Sequence, residues 1–240
     1  MIWLFGKGII MRGKIQDILI LVFLSPALCL ATNIDFYTDG IIKDGDEYRY
    51  VSVYNDATVD MTGGIVTKIF TAYDSSTVNI SGGALNILDS FDSSTLNLSG
   101  NPQINDLEVY LSGTANILSG TVGSVEIHNI ANLYGGIISD YLLATSTVNI
   151  YGYGFEYAPL SGDYRGGQLT GFWMNDAPFS IDLYYSDTPG GPIIDTYAHI
   201  VLIPEPATFL LLGLGVLMQR KQKLTCKVVC GIMLSIGIIG

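Results

Sequence analysis

The sequence predicts an all-β fold, a β-helix-like parallel β-solenoid of about six short coils with a small antiparallel C-terminal cap, and three observations carry that prediction. First, the segment Tyr73-Asp74-Ser75-Ser76-Thr77-Val78-Asn79-Ile80-Ser81-Gly82 returns 18 residues later as Phe91-Asp92-Ser93-Ser94-Thr95-Leu96-Asn97-Leu98-Ser99-Gly100. Second, weaker copies run from Tyr54 to Gly63 and lie around Thr114–Ile117, Ala131–Gly135 and Thr147–Gly152. Aligned on Asn or Asp, all six fall at 60, 79, 97, 116, 132 and 149, a nearly constant step of 16 to 19 residues. Third, each copy alternates strictly: Val78 and Ile80 point one way, Thr77, Asn79 and Ser81 the other, and glycine follows at a bend. That pattern predicts one short strand per repeat. A strand so short buries its apolar face only by stacking on its neighbours, so residues 48–152 are expected to form the solenoid, roughly 29 Å long at about 4.8 Å per coil.

The outward row Asp60, Asn79, Asn97, Asn116, Asn132 and Asn149 is then a candidate surface ladder along one face. Two readings compete for it. Stacked amides can hydrogen-bond from coil to coil and need no ligand. Alternatively the row is a flat polar face for sugars or cations, assisted by Asp74 and Asp92 on adjacent coils. The glycine-rich nonapeptide spacing of calcium-binding β-rolls is missing, which argues against a specific calcium site. The Asn-X-Ser sequons at Asn79 and Asn97 are by-products of the repeat.

Ahead of the repeat, residues 1–31 have the layout of a signal peptide: basic Arg12 and Lys14, an apolar run from Ile18 to Leu24, Ser25-Pro26, and the small-residue stretch Ala27–Ala31 with cleavage expected after Ala31. The apolar residues 1–10 sit awkwardly before this basic region, and translation from Met11 removes the difficulty. An uncleaved anchor is the alternative, disfavoured by the short apolar core. Cys29 invites a lipoprotein reading, but Leu28 stands where such signals need a small residue. Residues 32–47 read as a polar lead-in. Between Thr32 and Ile203 there are 20 Asp and Glu against Lys43, Arg49, Lys68 and Arg165, a net charge of −16. Such a surface repels nucleic acid and anionic polymers. Cys29, Cys226 and Cys230 all lie toward the termini, so no disulfide staples the repeat region.

Beyond the repeat, residues 153–202 become rich in glycine and aromatics, including Phe155, Tyr157, Tyr164, Phe172, Trp173, Tyr184, Tyr185 and Tyr197. They are expected to form antiparallel strands that cover the open end of the solenoid. Stacking of these rings on sugars is the competing reading.

Residues 203–223 begin Ile203-Pro204-Glu205-Pro206-Ala207-Thr208, continue as the apolar run Phe209–Met218 and close with Arg220, Lys221 and Lys223. The prolines keep the approach extended, the apolar run partitions into lipid as a short transmembrane helix, and the basic stop cluster stays on the cytoplasmic side. The three ordered parts closely resemble the PEP-CTERM sorting signal of bacterial exported proteins. That resemblance covers about 20 residues and implies a sorting motif at Pro204, Glu205 and Pro206, insertion in the inner membrane, and cleavage by an exosortase-type membrane enzyme. Residues 224–240 depart from it. They continue as an atypical apolar tail interrupted by Lys227, with Cys226 and Cys230 one helical turn apart.

No residue pattern points to catalysis. Asp44, Asp46 and Glu47 beside Lys43 and Arg49 are the best carboxylate group, and they read as a solvated turn; His128 and His199 have no metal-ligand or nucleophile spacing around them. The sequence therefore predicts no catalytic residue, metal or cofactor. The expected protein is an exported cell-envelope or matrix protein with a structural or adhesive role, and the alternative is a glycan-binding module or small polysaccharide-active enzyme. Its expected partners are the export machinery, signal peptidase, the exosortase, the inner membrane and an extracellular polysaccharide.

Overall fold

The computed structural model describes residues 32–187 and 193–204. The expected signal peptide, Glu205, Pro206, the apolar run, the cluster Arg220, Lys221 and Lys223, and the tail lie outside the described residues. Within them the chain is all-β, with a single 3-10 turn at Thr196–His199 and no helix long and apolar enough to cross a membrane.

The parallel solenoid is present, with about seven coils rather than six. Each coil contributes two strands where the alternation predicts one. The first, which we call the ladder sheet, runs Gly40–Ile42, Thr58–Met61, Thr77–Ile80, Thr95–Leu98, Thr114–Ile117, Ile130–Leu133 and the start of Val148–Ala158, all paired in parallel. The opposite sheet runs Thr32–Phe36, Glu47–Val53, Ile65–Ala72, Ala84–Ser90, Gln103–Val109, Thr121–Ile127 and then the split pair Ile137–Ile138 and Leu142–Ala144. The expected lead-in of residues 32–47 thus holds the first coil, up to the start of the second at Glu47. Ile41 pairs with Asp60, so the first coil holds the ladder position with an apolar residue.

The core lies between the two sheets. Val59 and Met61, Val78 and Ile80, Leu96 and Leu98, Ala115 and Ile117 project from one side onto Val51 and Val53, Phe70 and Ala72, Leu88, Leu107 and Val109 from the other, all buried. In-register pairing sets like on like, Val78 on Val59 and Leu96 on Val78, so the interior is one continuous stack.

Two corners close each coil. At one, Gly64 and Gly83 take φ of +82° and +91°, and a Cβ on Gly83 would stand 2.7 Å from the Gly64 carbonyl oxygen, so glycine is required. At the other, Asn55, Asp74, Asp92 and Leu111 adopt left-handed φ of 62°, 56°, 55° and 51°. Asn and Asp tolerate this conformation because their side chains hydrogen-bond locally. Here the Asp74 carboxylate accepts from the Asn55 backbone N–H at 2.8 Å and the Asp92 carboxylate from the Asp74 N–H at 3.2 Å.

After the seventh coil the expected antiparallel cap appears. Val148–Ala158 pairs with Arg165–Trp173, and that strand with Pro178–Ser186. Trp173 and Phe179 pack over the core end, and the Trp173 indole N–H donates to the Gly136 carbonyl at 3.1 Å. One strand departs from the expected cap: Ile200–Pro204 returns to the ladder sheet and pairs in parallel with Val148–Gly152.

Two substitutions test this packing. Leu98→Ala removes a fully buried rung and is expected to lower unfolding free energy by about 2–5 kcal/mol in urea titration. Leu111→Asn replaces an exposed residue held at left-handed φ with one that tolerates it. It is expected to raise stability by about 0.5–1 kcal/mol in the same assay.

Candidate functional site

The candidate ladder is a continuous chain of side-chain amides. Asn79 Nδ2 donates to Asp60 Oδ1 at 2.8 Å, Asn97 to Asn79 at 2.9 Å, Asn116 to Asn97 at 2.9 Å, Asn132 to Asn116 at 2.8 Å and Asn149 to Asn132 at 2.8 Å. All six predicted residues are therefore brought together, each bonded to the next. The parallel register imposes this, because residues aligned in adjacent strands sit one coil spacing apart and a primary amide offers a donor and an acceptor along that direction. Asp60, with acceptors only, fits the start of the chain. At the far end Val201 pairs with Asn149 and ends it.

Asp74 and Asp92 do not assist this face. The structure places them at the coil corner, where their carboxylates hold backbone N–H groups of the preceding coil. The group Asp44, Asp46 and Glu47 lies at the opposite corner of the first coils. There Asp46 closes its own turn, accepting from the Lys43 N–H at 2.9 Å.

A second ladder escaped the sequence reading. Tyr37, Tyr54, Tyr73, Phe91, Tyr110 and His128 stack ring on ring beside the corner, with centroids 4.9–5.6 Å apart and planes within 14°. Ring faces in such a stack are covered by their neighbours, so only edges are free between its ends, and sugar stacking on these interior rings is blocked. His128 ends the ladder, with Nδ1 2.9 Å from Thr145 Oγ1. His199 lies in the 3-10 turn.

Carboxylates cluster on the opposite sheet. Asp89, Glu108 and Glu126 occupy one row in register on adjacent strands, with Asp106 two residues along from Glu108. Glu108 accepts from the Tyr110 hydroxyl, Asp106 from Ser124, and Glu126 from Tyr141 at 2.7 Å. Asp89 Oδ1 is buried without a hydrogen-bond partner among the described residues. Burial, and then the charge of Glu108, push the Asp89 carboxyl up to about 6. The hydrogen bond to Glu108 raises the Tyr110 hydroxyl, and burial followed by the Glu126 bond raises that of Tyr141. Among the described residues no group of three or more His, Cys, Asp or Glu is arranged to hold a metal ion.

Comparison of the chain with known protein families, characterised proteins and solved structures finds no match. The arrangement itself must carry the reading. It consists of two outward ladders satisfied from coil to coil and one row of crowded carboxylates.

Removing Asn97 breaks two ladder bonds and strands polar groups on both neighbours. Asn97→Ala is therefore expected to cost about 1–3 kcal/mol in urea unfolding, and Asn149→Ala, which gives up one bond, less. Asp89 yields a pH signature. Its folded pKa lies above the ordinary carboxylate value, so the stability it contributes is present below about pH 4 and is lost as pH rises through about 6. Asp89→Asn is expected to raise the melting temperature at neutral pH, modestly because the group is partly solvated, and to leave it nearly unchanged at about pH 3.5.

Proposed function

We propose that this protein is an exported cell-envelope or extracellular-matrix component, sorted through Pro204-Glu205-Pro206 and serving a structural or adhesive role without catalysis. The observation that carries the reading is the amide ladder. The side chains of this row are engaged with one another from Asp60 to Asn149, as suits a face built for rigidity.

One observation supports sorting: Pro204, the first residue of the motif, is exposed on the strand Ile200–Pro204, and Glu205 and Pro206 follow it in the sequence. The partners of this reading are the export machinery and signal peptidase, the inner membrane, an exosortase-type enzyme and an extracellular polysaccharide.

The second reading is a small polysaccharide-active enzyme, and one observation favours it. Asp89, whose carboxyl is pushed up to about 6, pairs in register with Glu108, and glycosidases work with two carboxyl groups on neighbouring positions, one of them holding its proton as the acid. Both stand on the outer face of a sheet, which gives a sugar no enclosing wall.

The test is intact mass and fractionation in a bacterial host that carries an exosortase, with and without Pro204, Glu205 and Pro206 replaced by alanine. The wild type is expected to lose mass at both ends and leave the inner membrane, while the variant stays there. Retention of the C-terminal segment by both forms would overturn the sorting reading.

A further inference from the structure

The charges of this acidic domain are unevenly placed. On the strands Thr58–Met61, Thr77–Ile80, Thr95–Leu98, Thr114–Ile117 and Ile130–Leu133 the one ionisable residue is Asp60, whereas the opposite sheet carries Glu47, Arg49, Lys68, Asp89, Asp106, Glu108 and Glu126. Along the face with few charges the side chains also change character toward the C-terminal end. The row that begins with Lys43, Thr62, Ser81 and Ser99 continues as Leu118, 50% exposed, then Tyr134, 39% exposed, then Tyr151, which pairs with Ile203. Tyr134 and Tyr151 stack at 4.2 Å, and beside them Tyr153 stacks at 5.4 Å on Phe172, itself 41% exposed. The Tyr153 hydroxyl donates to Asp176 at 2.7 Å, which leaves a carboxylate at the border of the cluster. Single exposed apolar residues need no explanation, but a contiguous group of them on one face does.

The position of this cluster identifies its occupant. Pro204, the last described residue, pairs with Gly152, between Tyr151 and Tyr153. The apolar run starts at Phe209, five residues on. Fully extended, five residues reach at most about 17 Å. Any bilayer entered by Phe209–Met218 therefore lies within that distance of Pro204 and its aromatic neighbours. Tyrosine and phenylalanine with exposed edges, mixed with aliphatic residues and little charge, suit the interfacial layer of a bilayer.

We propose that the cluster of Leu118, Tyr134, Tyr151, Tyr153 and Phe172 docks on the lipid interface before the protein is cut. The solenoid is thereby laid against the bilayer with its carboxylate-bearing sheet turned to water. This inference rests on the membrane-anchoring part of the proposed function. It adds that the folded domain itself touches lipid and presents the processing motif at a fixed height.

The test uses the full chain in phosphatidylcholine vesicles, with Cys29, Cys226 and Cys230 replaced by serine and an NBD fluorophore on a single new cysteine. The probe sits at Tyr134→Cys, at Phe172→Cys in a second sample, or at Ser93→Cys on the coil corner as a reference, and circular dichroism checks that each variant is folded. The expected result is flotation with the vesicles, blue-shifted emission at positions 134 and 172 with loss of signal when the lipids carry a doxyl quencher, and neither effect at 93. Flotation with all three probes reporting water would overturn the docking while leaving the anchor intact. Failure to float would overturn the anchor and the docking together. A blue shift at 134 on adding dextran to detergent-solubilised chain, without one in vesicles, would give the face to a neutral glycan instead.

Discussion

No coil of this protein can bury its own interior or pair its own backbone. Each strand is three to eight residues long through most of the solenoid, and its N–H and C=O groups point along the axis toward the coils on either side. In-register stacking is therefore the constraint on which everything else depends. It joins Val59, Val78 and Leu96 into one apolar column, and the same register that aligns them aligns whatever projects outward. Favourable groups repeated at that spacing become ladders, as the asparagines and the aromatic rings do. Carboxylates repeated at that spacing repel, and Asp89, which burial already makes hold its proton more tightly, is pushed further the same way by Glu108.

Stacking also creates the problem of ends. At the C-terminal end the problem is met twice. The antiparallel strands Arg165–Trp173 and Pro178–Ser186 cover the core with Trp173 and Phe179, and Ile200–Pro204 adds a last parallel strand to the ladder sheet. Val201 at the ladder position offers no amide, so the polar chain stops there. End closure and the proposed sorting meet in one strand, because the closing strand also holds Pro204, the first residue of the proposed motif.

The ladder face was legible in the sequence because each of its positions meets the same environment in every coil, so Thr-X-Asn with apolar partners recurs almost unchanged. The opposite sheet kept only size and polarity. Val66, Leu85, Ile104 and Val122 share an inward column without sharing an identity, and a register shift between Val66 and Ile69 breaks the alternation. The first coil was hidden because Ile41 replaces the polar residue that marks the others. Asp74 and Asp92 looked like members of a binding face because they recur on adjacent coils just ahead of the ladder strands. Their left-handed φ takes them out of it, and the aromatic residue immediately before each was the available signal for a corner and for the second ladder. Strand Ile200–Pro204 could not be read from any period, because the whole cap separates it from the strand it joins.

The most direct test of this account is a nuclear Overhauser experiment on isotope-labelled protein that follows the side-chain amides of the asparagines. In-register parallel stacking predicts an unbroken series of contacts, Asn79 to Asn97, Asn97 to Asn116, Asn116 to Asn132 and Asn132 to Asn149, with Thr77 against Thr95. Contacts that place Thr77 against Leu98, the partner it would meet in an antiparallel hairpin, would contradict the solenoid and with it every ladder described.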